Sequence, residues 1–461
     1  MNKYSYKIIV LTLFSVGIWS SCKITKPYVR PMADVAYRQP ESTDTTSMAV
    51  MKWSELFTDT ALRQLISEGL TANLDLKIAV ERIGRSAVQL KMARTAFLPA
   101  VNGNLSVKES RLAFPQGFGL FNQATQYDLG ISSGWELDVW GKLKSAKRSA
   151  VADLLATDAA KRAVQTQLIA NIANAYFELL LLDAQLNVLR ETAQNREKDA
   201  ETIRVLFENS MVNGVAVVQS EANQYEAELA IPDVEQQILE TEHSLCLLLA
   251  RSPGPVRRSV LAGQKLSCDL QVGVPMQLLA NRPDVQEAEY HFRSAFEQSN
   301  VARTLLYPAL TISGAAGFSS FGLSDWFTKA GLFGNIAGGL TQPVFNRGIN
   351  KAKLATALSV QKEARYRFEQ VMLKASGEVS TALSDYHKAA IKEKKRDKQL
   401  VALTKAVEFN NELLNNSTTN YTDVLTAEQQ LLNVQFKAIA DQRQKLHALV
   451  NLYRALGGGW N

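Results

Sequence analysis

The chain is 461 residues long, with 51 Lys and Arg against 45 Asp and Glu, a formal net charge of +6, and 46% hydrophobic against 21% charged residues. That balance excludes an intrinsically disordered chain, and charges of both signs interspersed along the sequence speak against a dedicated nucleic-acid binder. The length suits two or three ordinary domains or one large elongated one.

At the N-terminus, Lys3 and Lys7 precede the apolar run IIVLTLFSVGIW (8–19), followed by Ser20, Ser21 and Cys22. A basic start, an apolar run of export length and small residues before a cleavage point read as a signal peptide over 1–21. The run is too short to span a bilayer as a helix, which takes about 20 residues, and no later stretch is long and charge-free enough. The end of the segment resembles a bacterial lipobox, with Trp19 where an aliphatic residue is usual. Cys22 is then the acylated N-terminus of a lipid-anchored segment, 22–70; the alternative is an ordinary signal peptide and a free Cys22. Two acyl chains at about 0.8 kcal/mol per buried CH₂ would anchor it durably.

Beyond residue 70 the chain repeats itself. ARTAFLPA (93–100) returns as ARTLLYPA (302–309), 302 − 93 = 209 positions on. SGWELDVWGKL (133–143) lines up with GGLTQPVFNRGI (338–349), and FENSMVNGVAVVQSE (207–221) with LNNSTTNYTDVLTAE (414–428). Three landmarks in one order mark an internal duplication rather than a solenoid. The first repeat is 71–250, a linker covers 251–280, the second repeat is 281–456, and 457–461 is a tail.

Each repeat reads the same way. A helical pattern (71–96, 284–306) runs into Pro99 or Pro308, which cannot continue a helix interior. A strand pair follows, 101–107 with 127–139 and 309–318 with 332–345, alternating with period two and nearly free of charge. Then come very long helical stretches, 144–209 and 350–416, in which apolar residues recur every three or four positions, as in Leu168, Ile172, Ala175, Leu179 and Leu182. About 65 residues make a rod of roughly 100 Å, a length that implies coiled-coil packing. Polar turns at 208–214 and 415–421 reverse the chain into shorter helices ending near 250 and 456, the first carrying Pro232. Cys246, in HSLCLLLA, suits burial as a small hydrophobe; a Cys246–Cys268 disulfide stays open, and neither residue has metal-site spacing.

Four strands per chain are too few to close a barrel, for which even small ones need about eight. An exported chain with such strands must bury them or share a barrel, and three chains would supply 3 × 4 = 12 strands. At this point the residues carry a family resemblance. PMQLLANRPDVQEAE (275–289) closely resembles the P-x-x-L-L-x-x-R-P-D-V-x-x-A-E signature of TolC-like outer-membrane factors, in the lipoprotein branch of the RND-type efflux channels. YVRP (28–31), WSELFTDTALRQLISEGLTANLDLKIA (53–79), SGWELDVWGKL and YTDVLTAEQQLL (421–432) match in the family's order, so the resemblance spans 22–460.

The resemblance implies an α+β, mostly α fold: a β-hairpin plus a long coiled-coil α-hairpin, duplicated. It further implies a homotrimer whose 12-stranded transmembrane β-barrel continues as a periplasmic α-helical tunnel. Its implied role is the exit duct of a tripartite efflux pump for drugs or other toxic compounds. The implied partners are a periplasmic adaptor (a membrane fusion protein), an inner-membrane RND-type transporter and outer-membrane lipid. An outer-membrane channel for type I protein secretion is the alternative use of the same tunnel. A periplasmic adaptor would need lipoyl-like β-modules around one hairpin, and a lipid-anchored enzyme would need convergent polar residues; neither pattern is found.

In RPDV (282–285), Pro283 fits the first turn of a helix and Asp284 and Glu287 its positive end, a structural role rather than a site. KAAIKEKKRDK (388–398) reads as a solvated helix face. The four histidines are scattered, with no Cys–His cluster, and GLFGNIAGGL (331–340) lacks a P-loop ending. No catalytic constellation or cofactor motif is present, so the expected function is conduction. Asp423 is the candidate for a carboxylate ring narrowing the pore at the periplasmic tip. Ser210 and Asn213 in one turn, and Ser417 and Asn420 in the other, are candidates for adaptor docking. Ser210 and Ser417 stand where relatives usually have Gly, and Thr426 where some place an Asp.

Overall fold

A computed structural model describes residues 24–31, 51–111, 123–261, 264, 282–415 and 421–460. Its helices are α1 (Trp53–Leu56), α2 (Thr60–Ala72), α3 (Leu74–Thr95), α4 (Lys142–Glu208), α5 (Gly214–Leu248), α6 (Pro283–Thr304), α7 (Ile349–Asn415) and α8 (Tyr421–Ala455). Its strands are β1 (Ala100–Arg111), β2 (Gln123–Leu137), β3 (Ala309–Ser320) and β4 (Leu332–Thr341).

The order helix, strand, strand, long helix, return helix occurs twice, and the lengths agree closely. α3 and α6 have 22 residues each, α4 and α7 67 each, and α5 and α8 35 each. The long helices begin within two residues of where hydrophobic spacing places them. The expected helix over 71–96 is divided, because Asn73 separates α2 from α3. Pro232 lies inside α5, which continues around it. The strands are longer than alternation alone suggests, except β4, which stops at Thr341 before Pro343, a residue with no N–H for a ladder.

Both strand-to-helix junctions turn on a left-handed glycine, Gly141 at φ 78° and Gly348 at φ 77°, a conformation that a Cβ disfavours. These glycines, like the starts of α4 and α7, are 348 − 141 = 207 positions apart, whereas the letters around Trp140 and Phe345 match best at 205. Counted from Trp140 and Phe345 the second repeat places two more residues before its junction, but counted from the strand starts, Ala100 and Ala309, it reaches the junction two residues sooner. Trp140 is fixed by an Nε1–H bond of 2.6 Å to the Pro308 carbonyl, while Phe345 is 86% exposed.

The chain divides into two compact units, one of residues 1–32, 82–157 and 287–368, the other of 33–81, 158–286 and 369–461. The first holds one antiparallel sheet in the order β1-β2-β3-β4. In it α4 and α6 are joined by Arg148, which donates to both carboxylate oxygens of Glu297 at 2.7 and 3.0 Å, and by the Ser149–Ser294 hydroxyl pair at 2.9 Å.

The second unit holds the main apolar core, in which Leu56, Phe57, Leu62 and Ile66 meet Ile169, Ile172, Tyr176 and Phe177 of α4, Leu245 of α5 and Tyr453 of α8. Asp59 caps α2 by accepting from the Ala61 and Leu62 amides. It also accepts from the Tyr176 and Ser259 hydroxyls and the Gln264 amide. Burial alone would raise the Asp59 carboxyl, but these donors outweigh it and hold it below the usual range. Burial, with the Asp59 bond, pushes the Tyr176 phenol up to about 12. Cys246 is a buried free thiol facing the Gly254 carbonyl at 3.4 Å, so it is not in a disulfide; Cys268 lies outside the described residues.

Candidate functional site: a strand wall, an N-terminal strap and a helical tip

The register sorts the sheet into two unlike faces. Val101, Leu105 and Val107 of β1 share one face with Tyr127, Leu129, Ile131 and Trp135 of β2. Leu310, Ile312, Ala316 and Phe318 of β3 and Leu332, Ile336 and Leu340 of β4 continue it. The opposite face carries Asn102, Asn104 and Ser106, then Gln126, Asp128 and Ser132, then Thr311, Ser313 and Ser319, then Asn335 and Thr341. On that face Asp128 accepts from the Ser319 hydroxyl at 2.6 Å and the Gln126 amide at 3.0 Å. The apolar face is open, with Leu105 66%, Ile131 60% and Ile336 82% exposed.

A face this apolar and this exposed needs a medium other than water. Aromatic groups bound it at both ends. Trp326 packs on Tyr127 (5.4 Å between centroids) and stacks on Phe327 (4.8 Å), which in turn meets Phe318. At the other end Trp140 packs on Tyr307 (5.5 Å), and Trp135 donates to the Phe97 carbonyl at 2.9 Å. From Tyr127 to Trp135 is about 26 Å along the strand.

Gly317 lets β2 and β3 approach closely, since a Cβ there would fall 2.2 Å from the Leu129 carbonyl oxygen. β1 and β4 each have one neighbour, so among the described residues the sheet has two unpaired edges. No helix among the described residues is long and apolar enough to cross a membrane.

Residues 24–31 form a strap on α6. The Lys26 amide donates to Asn300 Oδ1 and its carbonyl accepts from Asn300 Nδ2, both at 3.0 Å. Tyr28 sits between Phe292 and Phe296, and Arg30 pairs with Glu289 at 2.7 Å. Rising residue numbers meet falling ones on α6, so the strap runs antiparallel to the helix. Thr25, before it, lies against Gly141 where the strands give way to α4. Cys22 itself is outside the described residues.

At the far end of the first hairpin, α4 closes with two bonds, Ser210 N–H to the Phe207 carbonyl and Met211 N–H to the Leu206 carbonyl, both 2.8 Å. This is a Schellman ending, and Ser210 occupies its left-handed position at φ 57°. Asn213 then caps α5, its Oδ1 accepting from the Ala216 amide at 3.1 Å. Both residues named from sequence therefore shape the turn. Ser417 and Asn420 are outside the described residues. Asp423 is exposed in the first turn of α8, at the positive end of the helix dipole.

The basic run on α7 is partly paired with α8, Arg396 with Asp441 at 2.9 Å and Glu393 with Lys445 at 2.6 Å, as a helix face should be. Sequence reasoning placed Arg282 at a helix start but missed its reach. It is 4% exposed and donates to both Asp284 oxygens, to Glu378 at 2.9 Å and to the Ala455 carbonyl at 2.8 Å. Burial would raise the Asp284 carboxyl, but the Arg282 hydrogen bonds and charge outweigh it and hold it low.

A family model described as outer membrane efflux protein matches residues 65–251 and again 274–458. The probable outer membrane lipoprotein SilC of Salmonella typhimurium is 27% identical over 463 residues, 99% of each chain. The toluene efflux pump outer membrane protein TtgC of Pseudomonas putida is 27% identical over 471 residues, covering 98% of this chain and 95% of that one. A solved structure of CusC, which is named a cation efflux system protein in Escherichia coli, superposes with a TM-score of 0.87 at 25% identity. That match covers 95% of this chain and all of the other.

Proposed function

This chain belongs to the outer membrane efflux protein family, a family of passive channels rather than enzymes, and from that premise we propose that it is the outer-membrane exit duct of a tripartite efflux pump. Three copies share one 12-stranded barrel, and their helices form a periplasmic tunnel that meets a periplasmic adaptor and, through it, an inner-membrane RND-type transporter. The observation that carries this reading is the four-stranded sheet with one apolar face, one polar face and two unpaired edges. In lipid every backbone group must be paired, so such a sheet is complete only when its edges meet those of other copies. The apolar face then meets lipid, the Trp and Tyr groups at either end take the headgroup levels, and the Asn, Ser and Thr face lines the passage.

Residues 1–21 are a signal peptide, and 22–70 form the anchored N-terminal segment. The repeats at 71–250 and 281–456, with the linker between them and the tail at 457–461, build the channel. The strap supports acylation at Cys22. Thr25 lies at the strand–helix junction, and three extended residues reach about 10 Å, enough to set Cys22 at the inner surface of the bilayer. The cargo is small toxic compounds, the kind of load for which the relatives are named. Purified in detergent, the complex should have the mass of three chains plus micelle and should conduct in planar bilayers. A stable monomer that needs no detergent overturns the shared barrel.

At the tip, Ser210, Asn213, Ser417 and Asn420 are the positions that meet the adaptor, and three copies of Asp423 ring the aperture. Asp423→Asn should lower cation selectivity without disturbing the trimer. The comparison belongs at low ionic strength, because at 1 M salt the screening length is only about 3 Å. An unchanged reversal potential across a salt gradient would leave Asp423 as a helix-terminal acid alone.

A further inference from the structure

Arg196 on α4 is 4% exposed and faces two carboxylates. Glu428, on α8, places an oxygen 2.8 Å from Nη1, and Asp199, on α4 itself, places one at 3.9 Å. α4 belongs to the first helical hairpin and α8 to the second, so this contact joins the two hairpins across 428 − 196 = 232 positions. A single guanidinium here serves two acids, which leaves a surplus negative charge in a half-buried place. Asp199 Oδ2 and Arg196 Nη1 are both buried and neither makes a hydrogen bond, so the contacts between them and Glu428 are ionic alone. Arg196 bears on both carboxylates, and the Asp199 charge bears on Glu428 as well. The ion pairs between α4 and α5, Arg190–Glu235 and Arg204–Glu221, lie about two turns away along α4 on either side.

We propose that Arg196, Asp199 and Glu428 form a proton-binding tie between the two helical hairpins, one that holds them together more firmly once it has taken up a proton. With both acids ionised the charges do not balance; neutralising one leaves a single ion pair around Arg196. Burial raises the Glu428 carboxyl, the Asp199 charge raises it further, and Arg196 only partly offsets them. Burial likewise raises Asp199 against the opposing pull of Arg196.

Hairpins drawn apart would return both acids to water and to their ordinary range. Proton uptake therefore favours the packed state, and the tie weakens as pH rises through the raised values. The acid side tightens the hairpins and the neutral side loosens them, the reverse of an ordinary salt bridge with depressed carboxyls. The inference goes beyond the duct reading and depends only on contacts within one chain.

Hydrogen exchange read by mass spectrometry on the intact purified protein tests it, at about pH 5 and about pH 8 with intrinsic rates corrected. Peptides over 190–205 and 424–435 should both be several-fold better protected in acid. Glu428→Gln should erase that pH difference and keep both segments near the acid level. Asp199→Asn should reduce the difference, and it carries the test if the first variant folds poorly. Peptides around Tyr176 serve as the reference. Equal protection of the wild type at both pH values, or a difference that survives both substitutions, overturns the proposal. A protein that fails to trimerise would break the duct reading and leave this result standing.

Discussion

The two repeats solve one mechanical problem with different chemistry. Asn73 stands just before α3, and its side chain donates to the Leu248 carbonyl at 2.8 Å, near the end of the return helix α5. Arg282 stands just before α6 and donates to the Ala455 carbonyl at 2.8 Å, at the end of the return helix α8. The donors are 282 − 73 = 209 positions apart and the acceptors 455 − 248 = 207, so these are equivalent ties. In the first repeat the tie is neutral, and Asn73 Oδ1 also caps α3 through the Leu76 amide at 3.0 Å. In the second it is charged and gathers Asp284 and Glu378 as well. The geometry is common to both, while sensitivity to pH is confined to the second.

That contrast is open to direct test. The largest effect should come from Arg282→Ala, which leaves Asp284 without its cation and Glu378 with Arg454 alone, at 3.5 Å, and should cost about 3–5 kcal/mol. Denaturant unfolding against wild type measures it. The sign of its pH dependence is fixed. Asp284 is held low in the folded state, so its contribution is present above the unfolded carboxylate pKa of about 4 and is lost as pH falls through the folded value. The gap between wild type and Arg282→Ala should therefore narrow in acid.

Asn73→Ala removes a cap and leaves a carbonyl without its donor, which should cost about 1–2 kcal/mol with no such narrowing. A charge-like pH response from that variant would break the comparison. At the tip the effects are smaller. Asn213→Ala should lose about 1 kcal/mol of helix-capping stability, followed by hydrogen exchange at the start of α5. Ser210→Gly should gain up to about 1 kcal/mol by relieving a left-handed non-glycine residue, seen as slower local opening in the same peptides.

Much of the architecture was legible because it is written in local, periodic signals. The long helices declare themselves by apolar spacing without proline, and the strands by alternation that begins just after Pro99 and Pro308. What stayed hidden is set by distance along the chain. Arg282 reads as a helix-start residue next to Pro283, and nothing local announces Glu378 or Ala455, 96 and 173 positions away. Arg196 and Glu428 each look like one more charge on a helix surface. The junction offset misled for a different reason, since matching letters pull Trp140 onto Phe345 whereas the backbone matches Gly141 to Gly348. Ser210 and Asn213 were found by likeness, and their local work, a helix stop and a helix cap, emerges only from φ angles and hydrogen bonds.

The two unpaired strand edges have a consequence for how the molecule is made. β1 presents an edge 12 residues long and β4 one of 10, with alternate residues turning their backbone groups outward. Any string of copies joined edge to edge still ends in one of each, so an incomplete assembly remains as adhesive as a single chain. Only a closed ring has no reactive end. Under the proposed shared barrel, assembly is thereby self-terminating, and the hazard sits in the interval before closure. A chain produced faster than it reaches the membrane should accumulate as disordered strings rather than as dormant subunits.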